Sequence, residues 1–322
     1  MSTHLFLATS RGLVVLEREG ANWKESHHGL KDHRITSLTA TETVILAGTP
    51  EGVFRSTDLG QTWQEAKIGP AHRHIRWLSG HLENASLFFA GTEPAAIFAS
   101  QDKGKTWRSR PEVEKLRDQH GWYLPYSPEA GCVRGFASHG DRLYAAAEVG
   151  GVLRSDDRGE HWTLVEGSTG NPRGVASAPI VHPDVHSITV HPVSPDLVFA
   201  ATGGGLYRSE DGGQTWKLLY PCYCRAVWVD PLDPRHILFG PADSVDVMGR
   251  IEETTDGGQT WELASTRLQV PWQRHMVERF ARLDDQLLAV LSNGHLLVAP
   301  VSTLIWQRTF PQIEGIAAVV SF

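Results

Sequence analysis

The chain has 322 residues, with 30 Lys and Arg against 37 Asp and Glu and a formal net charge of −7. That balance excludes a general nucleic-acid binder, which needs a basic surface to displace counterions, and gives no attraction to anionic membranes. Three cysteines, Cys132, Cys222 and Cys224, with no CxxC pair, predict neither a disulfide framework nor a zinc ribbon and fit a reducing, cytoplasmic setting.

The apolar run at the N-terminus, Leu5 to Ala8, is too short for a signal peptide or a membrane span. The stretch His4 to Thr9 reads instead as the second strand of a small antiparallel sheet whose first strand is missing at this end. Trp23 closes a worn copy of a repeat that becomes clear further on. Residues 35–40, 44–48 and 52–55 read as three successive strands, and residues 62–65 begin a fourth. Similar apolar runs recur at residues 143–147 and 198–202.

Between the third and fourth strands stands Ser56-Thr57-Asp58-Leu59-Gly60-Gln61-Thr62-Trp63. The pattern Ser-x-Asp-x-Gly-x-Thr-Trp returns at residues 100–107, 155–162 (with His161 for Thr), 209–216 and 254–261 (with Thr254 for Ser). Each element suits a hairpin turn. A short Asp accepts bonds from the turn's own amides, Gly takes backbone angles closed to other residues, and the hydroxyls satisfy further turn groups. Trp then enters the fourth strand and is expected to pack on its own sheet. Asp58, Asp102, Asp157, Asp211 and Asp256 are therefore structural. With Trp23 and Trp306 as worn copies, seven tryptophans recur at steps of 40 to 55 residues, which predicts an all-β, seven-bladed β-propeller of four-stranded blades in a single domain over residues 1–322. Residues 315–322 supply the missing strand of the first blade and close the ring.

The long segments 111–131, 166–183 and 266–277 join the fourth strand of one blade to the first of the next, on the face opposite the repeated turns. Long loops on one face of a rigid scaffold carry function. The starts of the innermost strands align as Arg34-Ile35-Thr36, His74-Ile75-Arg76, Cys132-Val133-Arg134, Asp184-Val185-His186, Tyr223-Cys224-Arg225, Met276-Val277-Glu278 and Gln312-Ile313-Glu314. The third position would line the channel mouth. It gathers Arg76, Arg134 and Arg225 with His186, Glu278 and Glu314. Three guanidinium forks suit a carboxylate, phosphate or sulfate. His186 would move a proton, with Glu148, Glu278 or Glu314 as its partner. The bland alternative is a ring of mutually satisfied Arg–Glu pairs.

Trp122, beside His120 in the first long segment, would cover the mouth or anchor its loop. The run Trp122-Tyr123-Leu124-Pro125-Tyr126 would equally suit a protein partner. Tyr223, two residues before Arg225, would point near the pocket. His182, His186 and His191 resemble a metal cluster only on paper, since four residues of strand span about 13 Å. His27, His28, His72 and His74 carry no stronger signal. No HExxH, Walker loop or GxSxG is present. No cofactor and no metal are expected.

The repeated octapeptide resembles the Asp-box, or BNR, repeat of sialidases and related propellers. That resemblance implies an arginine triad on a substrate carboxylate, a Tyr–Glu nucleophile pair and an Asp acid, for which Arg76, Arg134, Arg225 and Tyr223 would stand. Sialidases have six blades and an Arg-Ile-Pro segment, whereas this sequence reads as seven and lacks that segment. Photosystem II assembly factors of the Ycf48 type are seven-bladed Asp-box propellers that act as scaffolds. Sortilin-like receptors have ten blades and cysteine-rich modules. The resemblance extends best to bacterial BNR-repeat proteins labelled glycosyl hydrolases. The expected function is binding of a small anionic molecule at the channel mouth, with hydrolase or lyase chemistry left open. A protein-docking scaffold and a sialidase-like glycosidase are the alternatives.

Overall fold

The computed structural model describes residues 2–20, 22–66, 68–69, 74–174 and 177–322. Seven four-stranded antiparallel sheets follow one another along the chain, each running from an innermost to an outermost strand. They form a seven-bladed propeller. The first blade joins the two ends of the chain: Ile316–Ser321 is its innermost strand and pairs with His4–Thr9, followed by Gly12–Glu19 and Asn22–Gly29. This is the expected closure. In the second blade the strands are Ser37–Thr41, Val44–Gly48, Val53–Ser56 and Gln64–Ala66, each within about two residues of the sequence reading, a normal spread for strand ends.

The repeated turns form as their composition requires. Asp58 accepts the Thr62 hydroxyl at 2.5 Å, the Thr62 amide at 2.9 Å and the Ser56 hydroxyl at 2.7 Å, while Ser56 Oγ accepts the Gly60 amide at 2.9 Å. These bonds, the Thr62 hydroxyl first, hold the Asp58 carboxyl down at about 2. His161 replaces the threonine without loss, its Nδ1 lying 2.6 Å from Asp157 Oδ2. Replacing Asp58 with Ala is expected to lower the melting temperature by a few degrees, because several turn donors lose one acceptor. An unchanged melting curve would show that the turn needs no carboxylate.

The tryptophans share hydrophobic clusters with their own sheets, as expected, and also reach the neighbouring blade. Trp63 joins Leu13 and Val15 of the first blade, Trp162 joins Phe89 of the third, and Trp216 joins Tyr144 and Val152 of the fourth. Each motif tryptophan thus lies in a hydrophobic cluster shared with the preceding blade, and the seven tryptophans occupy seven different clusters. The repeat is therefore an inter-blade fastener as well as a turn. The motif glycine serves the same contact: at Gly159, with φ +82°, a Cβ would lie 2.3 Å from the Phe89 ring of the third blade. A side chain there would meet both a backbone strain and a clash.

The segment 111–131 is not wholly irregular. Residues Pro111–His120 form an α-helix, with Pro at its start, Glu112 and Glu114 in the first turn, and Gly121 closing it in the left-handed conformation at φ 62°. These are ordinary helix start and stop signals, and the repeat pattern around them masks the segment in the sequence.

Candidate functional site

The innermost strands do not deliver their third residues by simple alternation. In six blades the strand pairing skips a position at the channel mouth. Ile75 pairs with Thr92 and Trp77 with Gly91, leaving Arg76 out of the ladder. Arg134, His186 and Glu278 are left out in the same way, and Arg225 together with Ala226. A β-bulge turns the extra residue away from the ladder and re-aims its side chain. The repeated bulge is what turns Arg76, Arg134, Arg225 and Glu278 toward the channel mouth.

The first blade departs from the expected alignment. Its skipped residue is Ala317, between Ile316 opposite Thr9 and Ala318 opposite Ala8. Glu314 lies before the strand, is exposed, and does not line the mouth. Ile313-Glu314 belongs to the preceding loop, and the counterpart of Ile75-Arg76 is Ile316-Ala317.

The mouth holds a cavity of about 870 Å³ lined by Arg34, Arg76, Arg134, Arg225 and Arg279 against three carboxylates, Glu148, Asp184 and Glu278. Arg76 Nη1 donates to the buried Glu93 at 2.8 Å, and Arg134 Nη1 donates to Glu148 at 2.9 Å. Arg134 also lies 3.5 Å from Glu278, which accepts a short bond from Arg225. Arg225 Nε donates to the Tyr223 hydroxyl at 3.1 Å. The Tyr126 hydroxyl donates to Glu148 at 2.7 Å and stands 3.5 Å from Arg76. Burial works to raise the Glu148 carboxyl, but Arg134, then His186, Tyr126 and Arg76 more than offset it and hold it well below the ordinary range. Glu278 is likewise lowered against its burial by Arg225 and Arg134. Burial pushes the Tyr223 phenol up.

The three arginines read from the sequence are thus already engaged by carboxylates. Arg279, which also lines the cavity, makes no ion pair with a carboxylate among the described residues. Its guanidinium stacks on Trp77 at 4.4 Å, and its Nε is buried with no hydrogen-bond partner among the described residues. Burial brings it down to about 10, which leaves it cationic at neutral pH. Arg279 comes from the seventh blade and Trp77 from the third, which are not neighbours, so their contact spans the channel. The sequence did carry a signal. The residue that follows the position shared by Thr36, Arg76, Arg134, His186, Arg225, Glu278 and Ala317 is small in five blades (Ser37, Gly135, Ser187, Ala226 and Ala318) and large only at Trp77 and Arg279.

Other expected residues fall elsewhere. Trp122 is buried, its indole donating to the Gly170 carbonyl at 2.8 Å and its ring packed against Gly150. It anchors the loop and leaves the mouth to Tyr126. His186 is 1% exposed and lies behind the lining residues Asp184 and Tyr223. Its Nδ1 is 2.8 Å from the Cys224 carbonyl, and its Nε2 is 3.1 Å from Asp184 Oδ1 and 3.4 Å from the Tyr223 hydroxyl. His182, His186 and His191 do not converge: His182 accepts the Asp184 amide and His191 meets the Asp230 carbonyl. Glu148, Asp184 and His186 do, with one ligand atom of each within 4.8 Å of the others. His74 lines the cavity, lowered by burial and then by Arg76. His72 lies outside the described residues.

Residues 2–221 match a family described as the DUF6242 beta propeller domain. No curated protein matches the chain. Its fold is similar to that of an ancestral GH74 enzyme, at 13% identity and a TM-score of 0.62 over 89% of this chain and 38% of that one. It is similar to the GH74 xyloglucanase from Xanthomonas campestris, at 17% identity and a TM-score of 0.63 over 86% of this chain and 45% of that one. The chain spans less than half the length of either GH74 chain. It is also similar to YCF48 bound to D1 peptide, at 16% identity and a TM-score of 0.60 over 96% of this chain and 88% of that one. At these identities the likeness is one of fold alone.

Proposed function

The chain belongs to the DUF6242 beta propeller family, and we propose that it binds a small anionic molecule at the channel mouth, with Arg279 as the principal contact. The observation that carries this reading is the buried, unpartnered Nε of Arg279 on the floor of an arginine-rich cavity. Leaving such a donor unpaired is costly, and an incoming carboxylate, phosphate or sulfate would satisfy it. Trp77 holds the guanidinium plane in place. Arg76, Arg134 and Arg225, each already bridged to a carboxylate, shape the cavity and add positive potential.

The repeated turn supports placing the chain beside the Asp-box propellers. It does not by itself make the protein a glycosidase. A glycosidase needs one carboxylic acid kept protonated near neutrality, and Glu148 and Glu278 are both held ionised by arginines. Chemistry on the bound anion would instead use the Tyr223 hydroxyl, backed by His186. A second reading, docking of a polypeptide on this face, is favoured by the exposed Tyr123, Tyr126 and Val245, two of which line the cavity. The three free thiols fit a reducing compartment such as the cytoplasm.

Thermal denaturation with inorganic phosphate, sulfate, short dicarboxylates and hexuronates tests the proposal. A ligand at 100 times its Kd should stabilise the fold by about 2.7 kcal/mol, and Arg279→Met should remove that shift. Failure of every anion to raise the wild-type melting temperature, or a shift that survives in Arg279→Met, would overturn it and favour a polypeptide partner.

A further inference from the structure

We propose that Glu148, Asp184 and His186 form a binding site for one divalent transition-metal ion beside the anion pocket. His186 is the fixed member of the trio. Its Nδ1 lies 2.8 Å from the Cys224 carbonyl, which can only accept, so Nδ1 carries the proton. Nε2 is then the ring nitrogen left to bind a ligand. It lies 3.1 Å from Asp184 Oδ1, a buried oxygen that forms no hydrogen bond among the described residues. A cation between the two atoms would be bound by both. The Tyr223 hydroxyl lies 3.4 Å from Nε2 and accepts from Arg225 Nε.

Glu148 brings a third acceptor to the same point, with all three ligand atoms within 4.8 Å of one another. Ligands at about 2.1 Å from a metal lie at most about 4.2 Å apart, so a small contraction of the cluster completes the site. An imidazole pinned through its other nitrogen by a backbone carbonyl is the usual orienting arrangement for a metal-bound histidine. One imidazole and two carboxylates suit Zn²⁺ or Mn²⁺, whereas Ca²⁺ takes six to eight oxygens. Glu148 and Asp184 line the cavity while His186 lies behind them, so the open coordination positions face the pocket. Glu148 keeps its hydrogen bond from Arg134 alongside the metal.

This site is independent of the anion contact at Arg279 and stands if no anion binds there. Chelator-stripped wild-type protein is titrated calorimetrically with Zn²⁺ and with Mn²⁺, alongside Asp184→Asn, His186→Gln and the control His236→Gln. His236 sits between Asp230 and Glu253 in a separate cluster. One equivalent is expected to bind the wild type and the control, with at least a tenfold loss of affinity in the two site variants. Absence of binding by either metal overturns the proposal. Binding that survives in Asp184→Asn, or is lost in His236→Gln, overturns it too. Should the site variants fail to fold, anomalous scattering from zinc-soaked wild-type crystals decides: a peak among Glu148, Asp184 and His186 supports the site, and a peak elsewhere or none overturns it.

Discussion

Removing residues 315–322 is expected to abolish the cooperative melting transition and to drive the chain into aggregates. The closing strand Ile316–Ser321 pairs along His4–Thr9 from Leu5 opposite Ser321 to Thr9 opposite Ile316. Its flanks are fastened too: the Phe322 carbonyl accepts the Thr3 amide at 3.0 Å, and the Gly315 carbonyl accepts the Ser10 amide at 3.1 Å. Side chains of this one strand serve both neighbouring interfaces. Ile316 and Val319 pack in the cluster between the seventh and first blades, and Ala318, Val320 and Phe322 in that between the first and second. Deletion would expose a sheet edge and two apolar clusters at once. Size-exclusion chromatography and circular dichroism on heating check this. A truncated chain that stays monomeric and melts sharply at the wild-type temperature would mean that the ring does not depend on its closing strand.

Glu148→Ala is expected to destabilise the fold by about 3–5 kcal/mol, the cost of leaving a buried charge without its partner. Arg134 would keep only Glu278, at 3.5 Å, and the Tyr126 hydroxyl and Cys132 thiol would lose their acceptor. Cys132 gains nothing in exchange, since its own thiol is pushed up by burial and then by Glu148 and stays neutral. The acid dependence follows from the lowered Glu148 carboxyl. A group whose folded pKa lies below its unfolded value stabilises fully above the unfolded value, about 4.3 for Glu, and loses that contribution as pH falls through the folded value. The gap between wild type and Glu148→Ala should therefore be full at neutral pH and shrink below about pH 4. Denaturant unfolding in metal-free buffer at neutral and acid pH measures it. A gap under about 1 kcal/mol at pH 7, or one that widens in acid, would show that the Glu148 network is solvated and carries little.

The repeat by itself determines the propeller architecture. Five octapeptides with a turn Asp, a Gly and a Trp at fixed offsets specify hairpins, and their spacing specifies blades, because each signal is local and depends only on the residues that carry it. The missing strand at one end and the spare strand at the other likewise follow from counting strands. The inner ring was legible in part: Arg76, Arg134, Arg225 and Glu278 share one position in an alignment that works wherever the strand begins at the same offset. It failed at Glu314, where a loop shifts the strand start by three residues and Ala317 takes the place. What only the tertiary structure decided is which charges satisfy one another. Arg134 reaches Glu278 and Arg279 reaches Trp77 from blades that are distant in sequence and not adjacent in the ring. Burial behind Tyr223 turns His186 from a mouth residue into one member of a converging trio. Pairing across a channel depends on the diameter of the ring and the reach of each side chain, and neither quantity is encoded within any single repeat.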